Sequence, residues 1–409
     1  MPTADVVVVG GGPAGAAAAI CLARAGREVA VFDKAVFPRD KCCGDGLTTG
    51  ALRRLDRLGL RPEMVPSWHP VSDVFIRSTS GRTVRFPLPT SGGVFAAIAR
   101  RTDLDAAFLG AARTAGAKVH DGHEVTGARV DDGGAVVRVE VTGMEPVLAR
   151  YVVAADGMWS PLRKAFGTSD EAGYLGEWHA FRQYFGGVRP AADDHLWVWF
   201  EPDLLPGYAW SFPLGSGRAN VGFGIRRSAG RPTREMKHQW DDLLARPHIR
   251  RVLGESASPE GPHRSWPIPA RIGRTALTAG GGRVLFVGDA ARATDSMTGE
   301  GIGQALETGE LAAQAIITGQ PSDPVRVATR YQRAVQAGIV VDDRLAAALS
   351  RVLGRPGRVR AAIRLAGASG WTRRNFARWM FEDYPRAIAL TPRRWHRGML
   401  HDPGAFSQP

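Results

Sequence analysis

The sequence predicts an α/β fold: a parallel sheet flanked by helices, an inserted antiparallel sheet, and a helical C-terminal region. Three observations carry that prediction. Residues 5–9 are Asp followed by four valines, and a glycine-rich turn and an alanine-rich segment come next. A second β-branched run, 283–287, leads into Gly288-Asp289, another glycine turn and a long helical pattern. Between them, residues 170–270 hold short apolar stretches broken by glycine and proline and rich in tryptophan. A length of 409 residues suits two or three domains. With 44% hydrophobic and 23% charged residues, wholesale disorder is excluded.

Taken in order, residues 5–9 read as a buried parallel strand. Residues 16–26 form a helix ended by glycine, and 28–33 a second strand, which completes a βαβ opening. Residues 47–58 read as a helix, 74–76 and 83–86 as a hairpin around Gly81, and 104–115 as a further helix. Strands are expected around Val119 and Val125, over 135–141, and over 151–155 entering Asp156-Gly157. Helices follow from Ile302 onward. This gives a nucleotide domain assembled from 1–60, 97–165 and 276–320. A substrate-binding sheet domain uses 61–96 and 166–275, and a basic helical region spans 321–409.

Three cysteines exclude a disulfide scaffold and point to a reducing compartment. Residues 1–5 have no basic leader, and the apolar stretch 6–22 is cut by Gly10, Gly11, Gly12, Pro13 and Gly15, so a cytoplasmic protein is expected. The net charge is +13, and residues 351–409 hold twelve arginines against Glu382, Asp383 and Asp402. Trp371, Phe376, Trp379 and Phe381 fall at helical spacing there. They predict either a basic aromatic face that contacts the inner side of an anionic membrane or a packed subdomain with a solvated basic surface. No nucleic-acid module accompanies the charge, so nucleic acid is not expected as a partner.

The first chemical motif is Gly10-x-Gly12-x-x-Gly15, containing Pro13 and Ala14, with Asp33 at the end of the second strand. Glycines allow a tight turn and close approach to a pyrophosphate, whose charge sits on the helix start. Asp33 is placed to accept from ribose hydroxyls. The second motif is Gly288-Asp289, followed by Gly299-Glu300-Gly301-Ile302. A carboxylate delivered there can hold ribityl hydroxyls, and the helix start can stabilise negative charge on a flavin ring.

Together with Asp156-Gly157, these motifs resemble those of the FAD-dependent hydroxylase-type flavoproteins. Lys41-Cys42-Cys43-Gly44-Asp45-Gly46-Leu47 resembles the Cys-Gly-(Asp/Glu)-Gly-Leu segment of geranylgeranyl reductase-like proteins. Arg101-x-x-Leu104-Asp105, Tyr208-x-Trp210-x-Phe212-Pro213 and Val221-Gly222-x-Gly224 are similar to further motifs of that group. The resemblance runs from about residue 4 to about 320. It implies a Rossmann-like FAD-binding domain in which FAD is held by Gly10, Gly12, Pro13, Ala14, Gly15, Asp33, Cys43, Gly44, Gly46, Arg101, Val125, Asp156, Gly157, Gly288, Asp289, Gly299, Gly301 and Ile302.

Period 2 puts Tyr208, Trp210 and Phe212 on one face of a strand, as an apolar tunnel wall or as sheet core. Cys43, ahead of a helix start that would favour its thiolate, is the candidate for handling the proton that follows hydride transfer. Its alternative is a purely FAD-contacting role. Where the family has a proline, this chain has Ser296, beside Met297, and both are expected to face the flavin and the substrate. His120-x-x-His123 lies in a turn and is not expected to bind metal. Trp197-Val198-Trp199 resembles a flavin halogenase signature but lacks its Ile-Pro, and no lysine lies between Lys41 and Lys118.

The resemblance therefore implies an FAD oxidoreductase that reduces a C=C bond of an apolar, isoprenoid or polyketide-like substrate with hydride from flavin N5. NADPH, NADH or reduced ferredoxin would be a transient donor. The alternative is a single-component flavin monooxygenase that hydroxylates or epoxidises a small apolar or aromatic substrate.

Overall fold

The computed structural model describes residues 3–227, 236–320 and 322–407. The valine run forms the strand Ala4–Val9, paired in parallel with Val29–Asp33 on one side and Val147–Ala154 on the other. The sheet extends through Lys118–Asp121 at one edge, and through Val284–Phe286 and Thr278–Ala279 at the other. Val125–Val130 and Val137–Val141 add an antiparallel meander to Val147–Ala154. Val6, Val7 and Val8 are fully buried. Such a strand, covered on both faces, reads as a continuous apolar run.

The helices Pro13–Arg24 and Ile302–Ile317 cross on this sheet at very short range. A Cβ on Gly309 would lie 2.2 Å from the Ala14 carbonyl oxygen and 3.2 Å from Ala17 Cβ. Ala16 to Ala19 are fully buried, which explains the alanine-rich composition. Two helices can approach this closely only where side chains are small.

The second sheet is antiparallel apart from one pair. Trp178–Gly186 pairs with Arg264–Ile268 and Arg218–Arg226, followed by Tyr208–Gly215 and Leu196–Trp199. Leu196–Trp199 then runs parallel to Asp73–Arg77, whose hairpin partner is Thr83–Pro87. The early hairpin thus belongs to this sheet. One face packs on Met236–Ala245 and Pro247–Leu253 through Phe181, Phe223 and Trp240.

Several boundaries differ from expectation: the first helix runs over Pro13–Arg24, not 16–26, and the strand expected from 151 starts at Val147. Gly46–Leu47 is not helical; it pairs with Ala97–Ile98 as a short strand. The helix runs over Thr49–Arg57, with the Thr48 hydroxyl accepting from Ala51 N at 3.3 Å. The next helix starts early, at Arg101, and runs to Thr114.

Four helices follow: Pro324–Ala337, Ile339–Leu353, Pro356–Ala366 and Gly370–Met380. Buried Tyr331 donates to the Phe286 carbonyl at 2.6 Å and ties this region to the parallel sheet. Phe376 packs on Phe86 of the second sheet, with centroids 5.0 Å apart. The expected single aromatic face is therefore split. Trp371 is 63% exposed, whereas Phe376 and Trp379 turn inward. Arg378 and Arg386 are buried beside Asp383 and Asp295, so part of the basic excess is internal. Among the described residues, no helix is long and apolar enough to cross a membrane.

The helix crossing makes a direct prediction. Gly309→Ala forces apart Pro13–Arg24 and Ile302–Ile317 and is expected to cost about 1–3 kcal/mol, the usual range for overpacking. Denaturant unfolding of the two proteins side by side measures it.

Candidate functional site

A cavity of about 1100 Å³ lies between the two sheets and the C-terminal helices. One end is walled by the glycine turns. The other is walled by Val74, Ile76, Leu196, Val198, Ile363 and Phe376. The polar end is built by backbone that only glycine permits. Gly10 has φ +104°, and a Cβ there would sit 2.2 Å from the Ala155 carbonyl oxygen. A Cβ on Gly15 would sit 1.9 Å from the Gly10 carbonyl oxygen. Gly15 does not itself line the cavity but lies beneath the turn; Gly12, Pro13 and Ala14 present the helix start to it.

Asp33 holds this turn. Its Oδ2 accepts from Gly11 N at 2.7 Å and its Oδ1 from Ala35 N at 2.8 Å. A carboxylate has lone pairs to spare for a further donor. Asp156 Oδ2 accepts from Ser160 Oγ at 2.7 Å and Leu162 N at 3.0 Å, while its buried Oδ1 has no protein partner. An orphaned buried acceptor on a cavity wall is what a hydroxyl-bearing ligand satisfies. Asp289 lies 3.8 Å from Lys41 Nζ at the same end. Gly157, Gly288, Gly299, Gly301, Ile302 and Val125 complete the wall. The glycine cradle, the helix start and the unpaired Asp156 oxygen fit FAD.

Arg101 is buried and grips Asp105 through two contacts of 2.8 Å, and Arg39 meets the same carboxylate at 2.9 Å. Lys41 lies over the Trp266 ring at 4.7 Å, and burial pushes its ammonium down from its usual range. The sequence reading passed over Lys41 as a site residue.

The Cys42–Gly46 loop is bolted to the second sheet by a network that local sequence does not reveal. Asp45 is fully buried with φ +65°. Its Oδ2 accepts from Tyr184 Oη at 2.7 Å and Asn220 Nδ2 at 2.8 Å. Asn220 Nδ2 also donates to the Cys43 carbonyl at 2.9 Å, and its Oδ1 accepts from Trp210 Nε1 at 3.1 Å. Tyr208, Trp210 and Phe212 line the cavity as a ladder with centroids 6.1 and 5.9 Å apart. A Cβ on Gly44 would meet the Phe212 ring at 3.1 Å, so the ladder rests directly on the loop.

Two expectations are corrected here. Cys43 does not stand at a helix start, because the strand Gly46–Leu47 and the cap Thr48 intervene. Burial is the larger effect and pushes its thiol up, so it stays neutral. Ser296 does not face the cavity. Its Oγ donates to Asp343 Oδ1 at 2.5 Å on the helix behind the loop, and Met297 and Thr298 take the cavity wall. His120 stacks on Phe32 with centroids 4.9 Å apart, and no cluster with metal-ligand character occurs among the described residues.

A family model described as FAD binding domain matches residues 3–317. The menaquinone reductase of Mycolicibacterium smegmatis is 37% identical over 352 residues, covering 78% of each chain. Digeranylgeranylglycerophospholipid reductase 1 of Methanopyrus kandleri is 32% identical over 343 residues, covering 80% of this chain and 84% of that protein. A geranylgeranyl bacteriochlorophyll reductase-like protein of Thermoplasma acidophilum superposes with a TM-score of 0.78 at 22% identity, covering 96% of this chain and 99% of the other. The halogenase PltM superposes with a TM-score of 0.69 at 18% identity, over 95% and 84% of the two chains, which speaks to the fold alone. The chain belongs to the geranylgeranyl reductase-like family of FAD-binding proteins and is an FAD-dependent oxidoreductase.

Asp289→Ala removes a cavity carboxylate whose ion-pair partner is Lys41. It is expected to yield folded protein with little flavin, read as flavin absorbance per mole of protein.

Proposed function

We propose that this FAD-dependent oxidoreductase saturates a C=C bond in an isoprenoid lipid whose chain lies in the apolar arm of the cavity. The observation that carries the reading is continuity: one cavity joins the cofactor loops to a wall of Val74, Ile76, Leu196, Val198, Ile363 and Phe376. The menaquinone and digeranylgeranylglycerophospholipid relatives support the same substrate class.

When bound, FAD supplies the electron pair for the reduction. The protein supplies position and dryness. Tyr208 donates to the Thr298 carbonyl and locks the aromatic ladder to the 295–300 loop. The ladder rings cover the Cys43–Gly46 loop and keep water from the reacting end of the chain. Val352 lines the apolar arm and is 44% exposed, so the arm reaches the surface at the C-terminal helices. In the same C-terminal region, Leu365, Trp371 and Trp395 are exposed, in a stretch of sequence rich in arginine. A surface of this kind suits peripheral contact with an anionic membrane, from which a lipid would enter. A nicotinamide nucleotide or reduced ferredoxin is the proposed transient donor.

The test is anaerobic. Dithionite-reduced protein is mixed with menaquinone, and separately with digeranylgeranylglycerophospholipid, in detergent. The expected product carries two extra hydrogens on its chain, which persist after any quinol is reoxidised in air. Product formed only with oxygen and carrying an oxygen atom would overturn the reading in favour of a monooxygenase. Ile363→Trp is expected to raise KM about tenfold for long-chain substrates, the scale of lost apolar contacts, with little change for a short prenyl chain.

A further inference from the structure

Behind the 295–300 loop the protein buries three carboxyl groups around one guanidinium. Asp295 Oδ1 accepts from Met297 N at 3.0 Å, Thr298 N at 2.7 Å and Thr298 Oγ1 at 2.8 Å. Glu382, brought in from beyond the last long helix, accepts from Thr48 Oγ1 at 2.9 Å and Gln304 Nε2 at 2.7 Å. Arg386 lies 3.4 Å from Asp295 and 3.6 Å from Glu382. Glu300 accepts from Gly303 N at 2.8 Å and lines the cavity. A Cβ on Gly303 would lie 3.3 Å from Glu382 Oε2 and 3.6 Å from Glu300 Oε1, so the two carboxyls flank one glycine.

The single cation sits between Asp295 and Glu382, and Glu300 forms no ion pair among the described residues. Three charged carboxylates around one guanidinium, in a largely buried cluster that Glu300 connects to the cavity, would leave an excess of negative charge that a proton relieves. Burial and the neighbouring Glu382 push Glu300 up, against the Gly303 and Ile302 amides that favour its charged form, and burial pushes Glu382 up as well, so the two carboxyls share the excess proton. The other titratable groups facing it are Asp295, Tyr208 and Cys43, and burial pushes the Tyr208 hydroxyl and the Cys43 thiol up, so both stay neutral.

We propose that Glu300 is the acid that donates the proton completing saturation of the substrate C=C bond, a role that rests on the reductase reading above. The balance is simple. Saturation adds two electrons and two hydrogens. FAD, when bound and reduced, would supply the electron pair and one hydrogen; the second C–H bond forms with the Glu300 proton as its O–H bond breaks. The carboxylate that remains is reprotonated from solvent before the next turnover. Glu382 is a positioning residue: it shares the excess proton with Glu300 and, when charged, holds that proton on Glu300.

The test uses FAD-loaded, dithionite-reduced enzyme and whichever of the two lipids the wild type saturates. Glu300→Gln is expected to keep its flavin and to slow single-turnover product formation about 100-fold, the scale of a lost general acid. The wild-type rate is expected to fall as pH rises above neutrality, because the protonated form is the active one and burial raises the pair above the usual carboxylate range. Glu382→Gln removes the neighbouring charge and is expected to move that limb to lower pH, a shift a merely structural role would not give. Glu300→Asp is expected to restore part of the rate and the pH dependence. Independently of any substrate, the protein alone is expected to show a protonated-carboxyl C=O band in the infrared that disappears with Glu300→Gln. Glu300→Gln turnover within about twofold of wild type, or no such band at neutral pH, overturns the inference. A wild type that saturates neither lipid overturns the reductase reading instead, and the infrared band still reports the state of Glu300.

Discussion

The short-range crossing of Pro13–Arg24 and Ile302–Ile317 is the constraint on which the rest depends. Each helix begins at a glycine turn, and each turn contributes to the polar end of one cavity. Ala14 touches both Gly288 and Gly309 when a Cβ is placed on either, at 3.0 and 2.2 Å. Nearly three hundred residues separate these turns in sequence, yet no side chain larger than alanine stands between them at this point. A wider crossing would draw the Asp289 loop away from the Gly10 turn. The pyrophosphate-type cradle and the ribityl-type carboxylate would then no longer address one ligand.

On that scaffold the cavity divides its labour along its length. Backbone amides, Asp33, Asp156 and Asp289 occupy one end, where hydrogen bonds and charge select a dinucleotide. The other end is aliphatic and aromatic and selects by exclusion of water. The Asp45–Tyr184–Asn220–Trp210 network stands at the junction. It joins the loop that touches the cofactor end to the strand that walls the substrate end.

What was legible in the sequence was local. The Gly10 turn, the strand before it, Gly288-Asp289 and the alternating Tyr208, Trp210 and Phe212 each announce themselves by spacing over a few residues. The illegible part was set by contacts far along the chain. Ser296 turns away from the cavity because Asp343, 47 residues on, accepts its hydroxyl. Cys43 lost its expected helix start because Gly46–Leu47 pairs with Ala97–Ile98. Asp45 was visible inside a motif, but its partners are 139 and 175 residues away. The aromatic tail residues share a helical period, yet the Phe86 ring, and not the period, decides that Phe376 is inside.

The C-terminal segment does two things at once. Its helices wall the apolar arm through Ile363 and Phe376, and the turn after Gly370–Met380 delivers Glu382 and Arg386 to the loop that ends in Gly301. One stretch of chain therefore touches both ends of the cavity. By thermodynamic linkage, whatever free energy a lipid contributes to ordering this segment is contributed equally to ordering the flavin loop, and the reverse holds with the same magnitude.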